Sequence, residues 1–168
     1  PKYDCQGRVI RADYGDVTVV CVYIPSGETE GPKYEYKMEF LEDFLVWIKE
    51  LRKERPNIVV CGDYNIAHKP IDINNPKRQI GVSGFLPEER EWMDNFINSG
   101  FIDTFRHLNP EPHQYTWWSY RAGSRAKNLG WRIDYNMAST SLADRIVDAK
   151  ILADAVHSDH CPVLLEIQ

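Results

Sequence analysis

The segment Gly62-Asp63-Tyr64-Asn65 places a carboxylate and an amide two residues apart, directly after the apolar run 57–61. Groups at the end of a buried strand can both point into one cleft, because the strand is rigid and the loop after it is free. There Asp63 could orient or deprotonate a water molecule, and Asn65 could hold that water through hydrogen bonds. Gly, Asp and Asn also form turns, so a plain turn is the alternative.

A second group of reactive side chains, Asp159-His160, precedes the last apolar run. An acid beside an imidazole can bind a metal ion or stabilise charge on a phosphoryl oxygen, whereas the alternative is a polar loop that caps the last strand. Upstream, Asp134 lies in the strand-like run 132–135, and a half-buried carboxylate needs a partner. That partner is either His160 or Arg132, which strand alternation puts on the same face as Asp134.

The stretch from residue 115 to 133 mixes aromatic and cationic side chains and contains no acid. Rings can pack on sugars or bases while cations meet phosphates, so this composition favours contact with a nucleic acid. Core tryptophans with solvated arginines are the alternative, and the pattern does not decide for Trp118. The residues concerned are Trp117, Trp118, Tyr120, Trp131, Arg121, Arg125, Lys127 and Arg132.

Alternating strands and helices must position these groups, which predicts a single domain of the α/β or α+β class. Apolar runs predict strands over 9–12, 17–24 and 57–61 and near 114–120, 131–138 and 162–167. Apolar residues at three- and four-residue spacing predict a helix from about 34 to 55, which Pro56 ends. A second helix starts at Pro87 and runs to about 99, a short one covers 141–146, and an ordered loop covers 66–87.

The bulk composition leaves several classes open and excludes others. The 168 residues suit one domain, and no run approaches the roughly 18 apolar residues that a membrane span needs. A net charge of −5 argues mildly against nucleic acid as a partner. Four singly spaced cysteines predict core thiols in a reducing compartment, the cytoplasm or, in a eukaryote, the nucleus.

Six segments together resemble the exonuclease III family of abasic-site endonucleases, a branch of the DNase I-like endonuclease/exonuclease/phosphatase superfamily. The Gly-Asp-x-Asn and Ser-Asp-His motifs are shared across the superfamily, and the third to fifth segments are typical of the DNA-repair branch. The segments are Tyr23-Ile24-Pro25-Ser26-Gly27, Gly62-Asp63-Tyr64-Asn65-Ile66, Asp103-Thr104-Phe105-Arg106-His107, Tyr115-Thr116-Trp117-Trp118, Asn128-Leu129-Gly130-Trp131-Arg132-Ile133-Asp134-Tyr135 and Ser158-Asp159-His160-Cys161-Pro162.

The resemblance implies a two-sheet β-sandwich flanked by helices, with the active site at one end of the sheets. It also implies a nuclease that uses Mg²⁺, or Mn²⁺ in its place, to hydrolyse phosphodiester bonds. The implied substrate is double-stranded DNA, cut 5′ to abasic sites or trimmed at damaged 3′ ends. No membrane is implied. Two alternatives stay open: another phosphoesterase of the same superfamily, and a catalytically inactive DNA-binding module.

The resemblance assigns roles residue by residue. Asp63 would act on the attacking water with support from Asn65, Tyr23 and His160 would bind the scissile phosphate, and Asp134 would orient His160. Asp159 would lie at the metal site. The positions implied to contact DNA are Trp117, Arg121, Asn128, Trp131 and Ile133.

Family members open with strands that are not found in this sequence, and the second of those strands carries the Glu that is the principal metal ligand. We therefore expect the 168 residues to be the C-terminal two-thirds of one domain. On this hypothesis, full metal binding and activity need the N-terminal segment or a complementing chain.

Overall fold

The computed structural model describes residues 2–168 and has a mixed α/β architecture. The helices are α1 (Pro32–Glu54), α2 (Pro87–Asn98) and α3 (Thr104–Leu108). The strands are β1 (Val9–Tyr14), β2 (Val17–Tyr23), β3 (Ile58–Asp63), β4 (Phe101–Asp103), β5 (Trp117–Trp118), β6 (Gly130–Trp131), β7 (Asp134–Ser139), β8 (Ile146–Ile151) and β9 (Val163–Ile167).

Five strands form the central sheet in the order β1-β2-β3-β7-β4. The pair β2 and β3 is parallel and is connected through α1, whereas the other neighbours are antiparallel. Two small hairpin sheets, β5-β6 and β8-β9, complete the described strands. The C-terminal ends of β2 and β3 and the N-terminal end of β7 therefore lie side by side at one end of the sheet.

The main core lies between one face of this sheet and the two longer helices. Alternate residues of β2 and β3, such as Val20 and Val60, pack against the apolar stripe of α1 and against Phe96 of α2. On the opposite face the hairpin β8-β9 covers the part around Val59 and Ala138. Burial of this apolar surface supplies the main driving force that holds the strand ends in place.

The structure confirms the mixed α/β class and most of the expected elements. Three elements were not expected: β4, α3 and β8. β4 and α3 have only three and five residues, too few to show a strand or helix periodicity. β8 carries Asp148 and Lys150 among its apolar residues, so it does not form an apolar run. The strand expected over 131–138 is interrupted, since residues 132 and 133 lie between β6 and β7.

All four cysteines are free thiols, and only Cys161 is buried. The expectation of core thiols is therefore wrong for Cys5 and Cys21, which are exposed, and Cys61 is half-buried. Within residues 2–168, no helix combines the length and the apolar character required to cross a bilayer.

Gly62 allows β2 and β3 to lie side by side directly before Asp63. Its φ of +134° is a conformation that L side chains rarely adopt, and a Cβ atom there would lie 2.0 Å from the carbonyl oxygen of Val22. The residue before Asp63 must therefore be glycine if the two strands are to keep their register to the last residue.

We predict that Gly62→Ala lowers the free energy of unfolding by about 3 kcal/mol or more, because overpacking and backbone strain act together. Gly15→Ala is the matched control, since Gly15 also has a positive φ but a Cβ atom there meets nothing within 4 Å. Urea unfolding of both variants measures the difference. Equal losses would contradict the steric explanation.

Candidate functional site

Three neighbouring strands bring Tyr23, Asp63 and Asp134 together at one edge of the central sheet. Tyr23 is the register partner of Asp63 across the parallel pair, and Asp63 is the partner of Asp134 across the antiparallel pair. Directly paired residues of adjacent strands project to the same face of a sheet. The phenol and the two carboxylates therefore share one face, and Tyr23 is exposed.

The turn after β3 holds the carboxylate of Asp63 in a fixed orientation. The backbone N–H of Asn65 donates to Oδ1 of Asp63 at 2.8 Å, and its side-chain Nδ2 donates to Oδ2 at 3.1 Å. Asn65 adopts a φ of +50°, which an asparagine tolerates better than most residues. The segment is thus both a turn and part of a cluster of reactive groups.

His160 completes this cluster and takes Asp134 as its partner. Its Nδ1 lies 2.9 Å from Oδ2 of Asp134, and ligand atoms of Asp63, Asp134 and His160 all lie within 4.8 Å of one another. A carboxylate on Nδ1 fixes the tautomer and leaves Nε2 as the other ring nitrogen for a substrate or metal. The three residues form a group that could hold a metal ion.

Burial and like charge raise the pKa of Asp63 to about 6. Desolvation is the larger cause, and repulsion from the Asp134 carboxylate adds to it. The pKa of His160 is also raised, chiefly by its hydrogen bond to Asp134, while partial burial opposes the shift. An acid poised near neutrality beside an imidazole that readily carries a proton is a combination suited to acid–base chemistry.

Thr116 fixes the backbone at Asp134, and the neighbouring Arg132 turns away from it. The hydroxyl of Thr116 accepts hydrogen bonds from the backbone N–H of Ile133 at 3.0 Å and of Asp134 at 3.1 Å. Arg132 is buried and points away from the cluster toward Asp72 and Asp103, at 2.8 and 2.6 Å. The alternative pairing of Arg132 with Asp134 is therefore wrong, because the break between β6 and β7 interrupts the expected strand alternation.

Asp72 lies in the loop 66–87 and is fully buried, where it also accepts from Arg106 at 2.8 Å. Burial alone would raise the pKa of the Asp72 carboxyl, but the two arginines outweigh it and lower that pKa. Two arginines and two aspartates thus form a compact network under the site. Removing one member of such a network leaves a buried charge uncompensated.

Asp159 is next to the cluster in sequence but is not one of its three ligand residues. Its Oδ2 accepts from the indole Nε1 of Trp117 at 3.0 Å, and its Oδ1 accepts from the Ser158 hydroxyl at 3.1 Å. Desolvation opposes ionisation, but these hydrogen bonds outweigh it and lower the pKa of the Asp159 carboxyl. Its role as a metal ligand stays a prediction.

An aromatic wall stands beside the cluster. The rings of Trp117 and Trp131 meet edge to face at 6.1 Å, and both are only partly buried. They pack against a small core that includes Ile133, Ile73 and Phe85, two of which come from the loop 66–87. A β-bridge between Trp117 and His160 joins the backbone of this wall to that of His160.

The other residues of the aromatic and cationic stretch divide into structural and exposed ones. Trp118 is buried and donates from Nε1 to Asn128 at 3.0 Å, and Arg125 lies over its ring at 4.5 Å. The guanidinium of Arg125 also donates to the backbone oxygens of residues 153, 155 and 158, so it is part of the scaffold. Arg121 and Lys127 are exposed.

Lys37 and Glu89, two charged residues behind the turn that carries Asp63, were not among the predicted site residues. Each begins the apolar stripe of its helix, Lys37 one turn before Phe40 and Leu41, and Glu89 one turn before Trp92 and Met93. A lone charge at a stripe position signals a buried ion pair, and this signal was available in the sequence.

Residues 1–160 match the sequence profile of the Endonuclease/Exonuclease/phosphatase family. The chain belongs to this family. An exodeoxyribonuclease of Bacillus subtilis is 45% identical over 99% of the chain and 66% of its own length. Among solved structures, the 3′ phosphatase NExo from Neisseria bound to product DNA hairpin superposes with a TM-score of 0.92 at 30% identity, and an AP endonuclease from Archaeoglobus fulgidus with 0.87 at 32%.

Both solved structures are matched over 96% of this chain and 65% of theirs. The chain thus spans about two thirds of the length of these three family members. The family and the DNase I-like fold agree with the resemblance that the six segments carry. Two of the three relatives are named as nucleases, an exodeoxyribonuclease and an AP endonuclease, and the structure of the 3′ phosphatase holds DNA.

We predict that Asp134→Asn lowers the pKa of both Asp63 and His160 in metal-free protein. The change removes the repulsion that raises the first and the hydrogen-bonded anion that raises the second. Carboxyl carbon and imidazole NMR titrations measure both pKa values. Asp159→Asn is the control, because Asp159 is the weakest of the causes that act on His160.

These raised pKa values make the stability of the folded protein depend on pH. Both groups have a folded pKa above the unfolded one, so their contribution is complete at low pH and is lost as pH rises through the folded values. The wild type should therefore lose more stability than Asp134→Asn as the pH rises from 3.8 to about 6, through Asp63, and again above 6.5, through His160. An unchanged His160 titration in Asp134→Asn would contradict the pairing.

Proposed function

We propose that this family member is a metal-dependent DNA-repair nuclease that hydrolyses phosphodiester bonds, incising 5′ to abasic sites, trimming 3′ ends, or both. The observation that carries the proposal is the cluster of Asp63, Asp134 and His160 beside the wall of Trp117 and Trp131. Phosphodiester hydrolysis requires a base, a group that stabilises charge on the phosphate and a means to place the bond between them.

Asp63 is the group that orients and deprotonates the attacking water in this proposal. Its pKa of about 6 leaves it ionised near neutral pH and basic enough to accept a proton. The two hydrogen bonds from Asn65 hold the carboxylate while the proton moves. His160, protonated more readily because of Asp134, and the hydroxyl of Tyr23 bind the oxygens of the scissile phosphate.

The donor set fits Mg²⁺, with Mn²⁺ as a substitute. Carboxylate oxygens are the protein ligands that Mg²⁺ prefers, and one or two of them usually suffice. Asp159 would hold the ion at the edge of the cluster. Asp63 and Asp134 would attract the ion through their charges, while Asp63 stays free to take a proton from water and Asp134 stays paired with His160. When bound, the ion neutralises charge that develops on the phosphodiester.

The aromatic wall suits an abasic nucleotide that has turned out of the duplex. Trp117, Trp131 and Ile133 offer an apolar surface for a bare sugar, while the duplex on either side would meet Arg121 and Asn128. A flipped nucleotide costs least to extrude when its base is missing, which favours abasic sites.

Localisation in the cytoplasm or nucleus is part of the same proposal.

Incision of a labelled duplex with one abasic site, with Mg²⁺ or with EDTA, tests the proposal. Because the relatives extend beyond the matched region, one arm uses the 168 residues and a second adds the relatives' remaining segment as a separate polypeptide. We predict nicking that needs Mg²⁺ and is stronger in the second arm. Binding without nicking in either arm would favour a DNA-binding module, and preferential cleavage of lipid or inositol phosphates would favour another phosphoesterase.

We also predict that Asp63→Asn lowers the rate of nicking at least about 100-fold, because an amide cannot accept the proton of water. Asp144→Asn, at an exposed acid before β8, should stay within about twofold of the wild type and controls for loss of charge. Single-turnover incision measures both rates. Retained nicking in folded Asp63→Asn would remove Asp63 from this role.

A further inference from the structure

A lysine and a glutamate are buried together behind the turn that carries Asp63. Nζ of Lys37 on α1 lies 2.6 Å from Oε1 of Glu89 on α2, and each side chain is 1% exposed. Desolvation lowers the pKa of Lys37, while the charge of Glu89 opposes that shift. Ionic groups are costly to bury, so each must compensate the other and satisfy its remaining hydrogen bonds.

Those remaining hydrogen bonds reach backbone groups on both sides of the candidate site. Lys37 Nζ donates to the carbonyl oxygen of Asn65 at 2.8 Å. Oε2 of Glu89 accepts from the backbone N–H of Gly84 at 2.7 Å and of Leu86 at 2.9 Å. The pair therefore ties the turn after β3 to the end of the loop 66–87.

Two glycines, Gly27 and Gly84, lie so close to this pair and its surroundings that neither position has room for a side chain. A Cβ atom on Gly27 would lie 2.8 Å from Cδ of Lys37. A Cβ atom on Gly84 would lie 3.0 Å from the ring of Trp131 and 3.2 Å from the oxygen of Asn65. Lys37, the Asn65 turn and Trp131 of the aromatic wall therefore pack closely around Gly27 and Gly84.

We infer that Lys37 and Glu89 are positioning residues for the proposed cleavage, a role that rests on the proposed function. Lys37 holds the carbonyl of Asn65, whose own N–H and Nδ2 hold the carboxylate of Asp63. Asn65 keeps a left-handed φ of +50°, and a hydrogen bond to its carbonyl stabilises that conformation. The pair reaches the water-activating carboxylate by contact through Asn65, and the charge of Lys37 also acts on that carboxylate at longer range.

Stability alone does not account for the pair. An apolar pair of similar volume in a buried place is often as stable as an ion pair or more so. What methionine or leucine cannot supply is the hydrogen bond to the Asn65 carbonyl. A small displacement of a reacting group lowers the rate of the chemical step strongly, by on the order of 100-fold for 1 Å.

Three variants separate positioning from stability: Lys37→Met, Glu89→Gln and the double variant. Lys37→Met leaves Glu89 without its cation and Glu89→Gln leaves Lys37 without its anion, so both stability and kcat should fall in each single variant. The double variant removes both charges and keeps a side-chain oxygen for the N–H groups of Gly84 and Leu86. We expect it to regain most of the thermal stability, while kcat stays roughly 10- to 100-fold below the wild type and KM changes less than about threefold.

Lys33→Met is the matched control, since Lys33 lies on the same helix in an exposed ion pair with Glu28. It should leave kcat, KM and stability near those of the wild type. A double variant that regains stability together with kcat would overturn the inference, because the loss would then be one of folding. So would a loss confined to KM.

A second readout does not depend on nuclease activity. In metal-free protein, the backbone and Nδ2 amide signals of Asn65 should shift in Lys37→Met and in the double variant, and should not shift in Lys33→Met. Unshifted Asn65 signals in the double variant would overturn the inference whatever the nicking assay gives. Shifted signals in a chain that does not nick would leave the positioning contact supported and the proposed function refuted.

Discussion

The buried guanidinium of Arg132 is the interaction on which the candidate site depends. In the sequence, Arg132 lies between Trp131 of the aromatic wall and the segment Ile133-Asp134, and its guanidinium pairs with Asp72 and Asp103 at 2.8 and 2.6 Å. Asp72 brings in the loop 66–87, and Asp103 brings in the end of β4. One side chain therefore fixes three segments whose order in the sequence does not make them neighbours.

The buried charge networks hold two carboxylates together that repel each other. Asp63 and Asp134 face each other across adjacent strands, and their repulsion contributes to the raised pKa of Asp63. Two carboxylates that share a site disfavour each other's ionised form, so the backbone has to hold them together. The Arg132 network holds Asp134 from one side, and the Lys37–Glu89 pair holds the Asp63 turn from the other. The cost of burying these charges is offset by their mutual compensation.

Local patterns were sufficient to predict the elements and the principal reactive groups. The apolar stripe and Pro56 placed α1 to within two residues, and the apolar run before Gly62 placed Asp63 at a strand end. The pairing of Asp134 with His160 was one of two options that the sequence offered. The family likeness of the six segments agrees with the matched profile, whereas the DNA-contacting roles of Trp117, Arg121, Asn128, Trp131 and Ile133 stay predictions.

The long-range contacts could not be predicted from local patterns. Arg132 and Asp72 are 60 positions apart, and Lys37 and Glu89 are 52 apart. Arg125 illustrates the same limit, because its position among aromatic residues suggested a phosphate contact while the fold places it over Trp118. Charge and type are visible in a sequence, but the direction of a long side chain depends on the tertiary packing around it.

A crystal structure of the Asp63→Asn variant with an abasic duplex and Mg²⁺ tests the central claim most directly. The account predicts the scissile phosphate between Tyr23, residue 63 and His160, with the bare sugar against Trp117 and Trp131. A duplex bound elsewhere on the chain, with its phosphates away from this cluster, would contradict it.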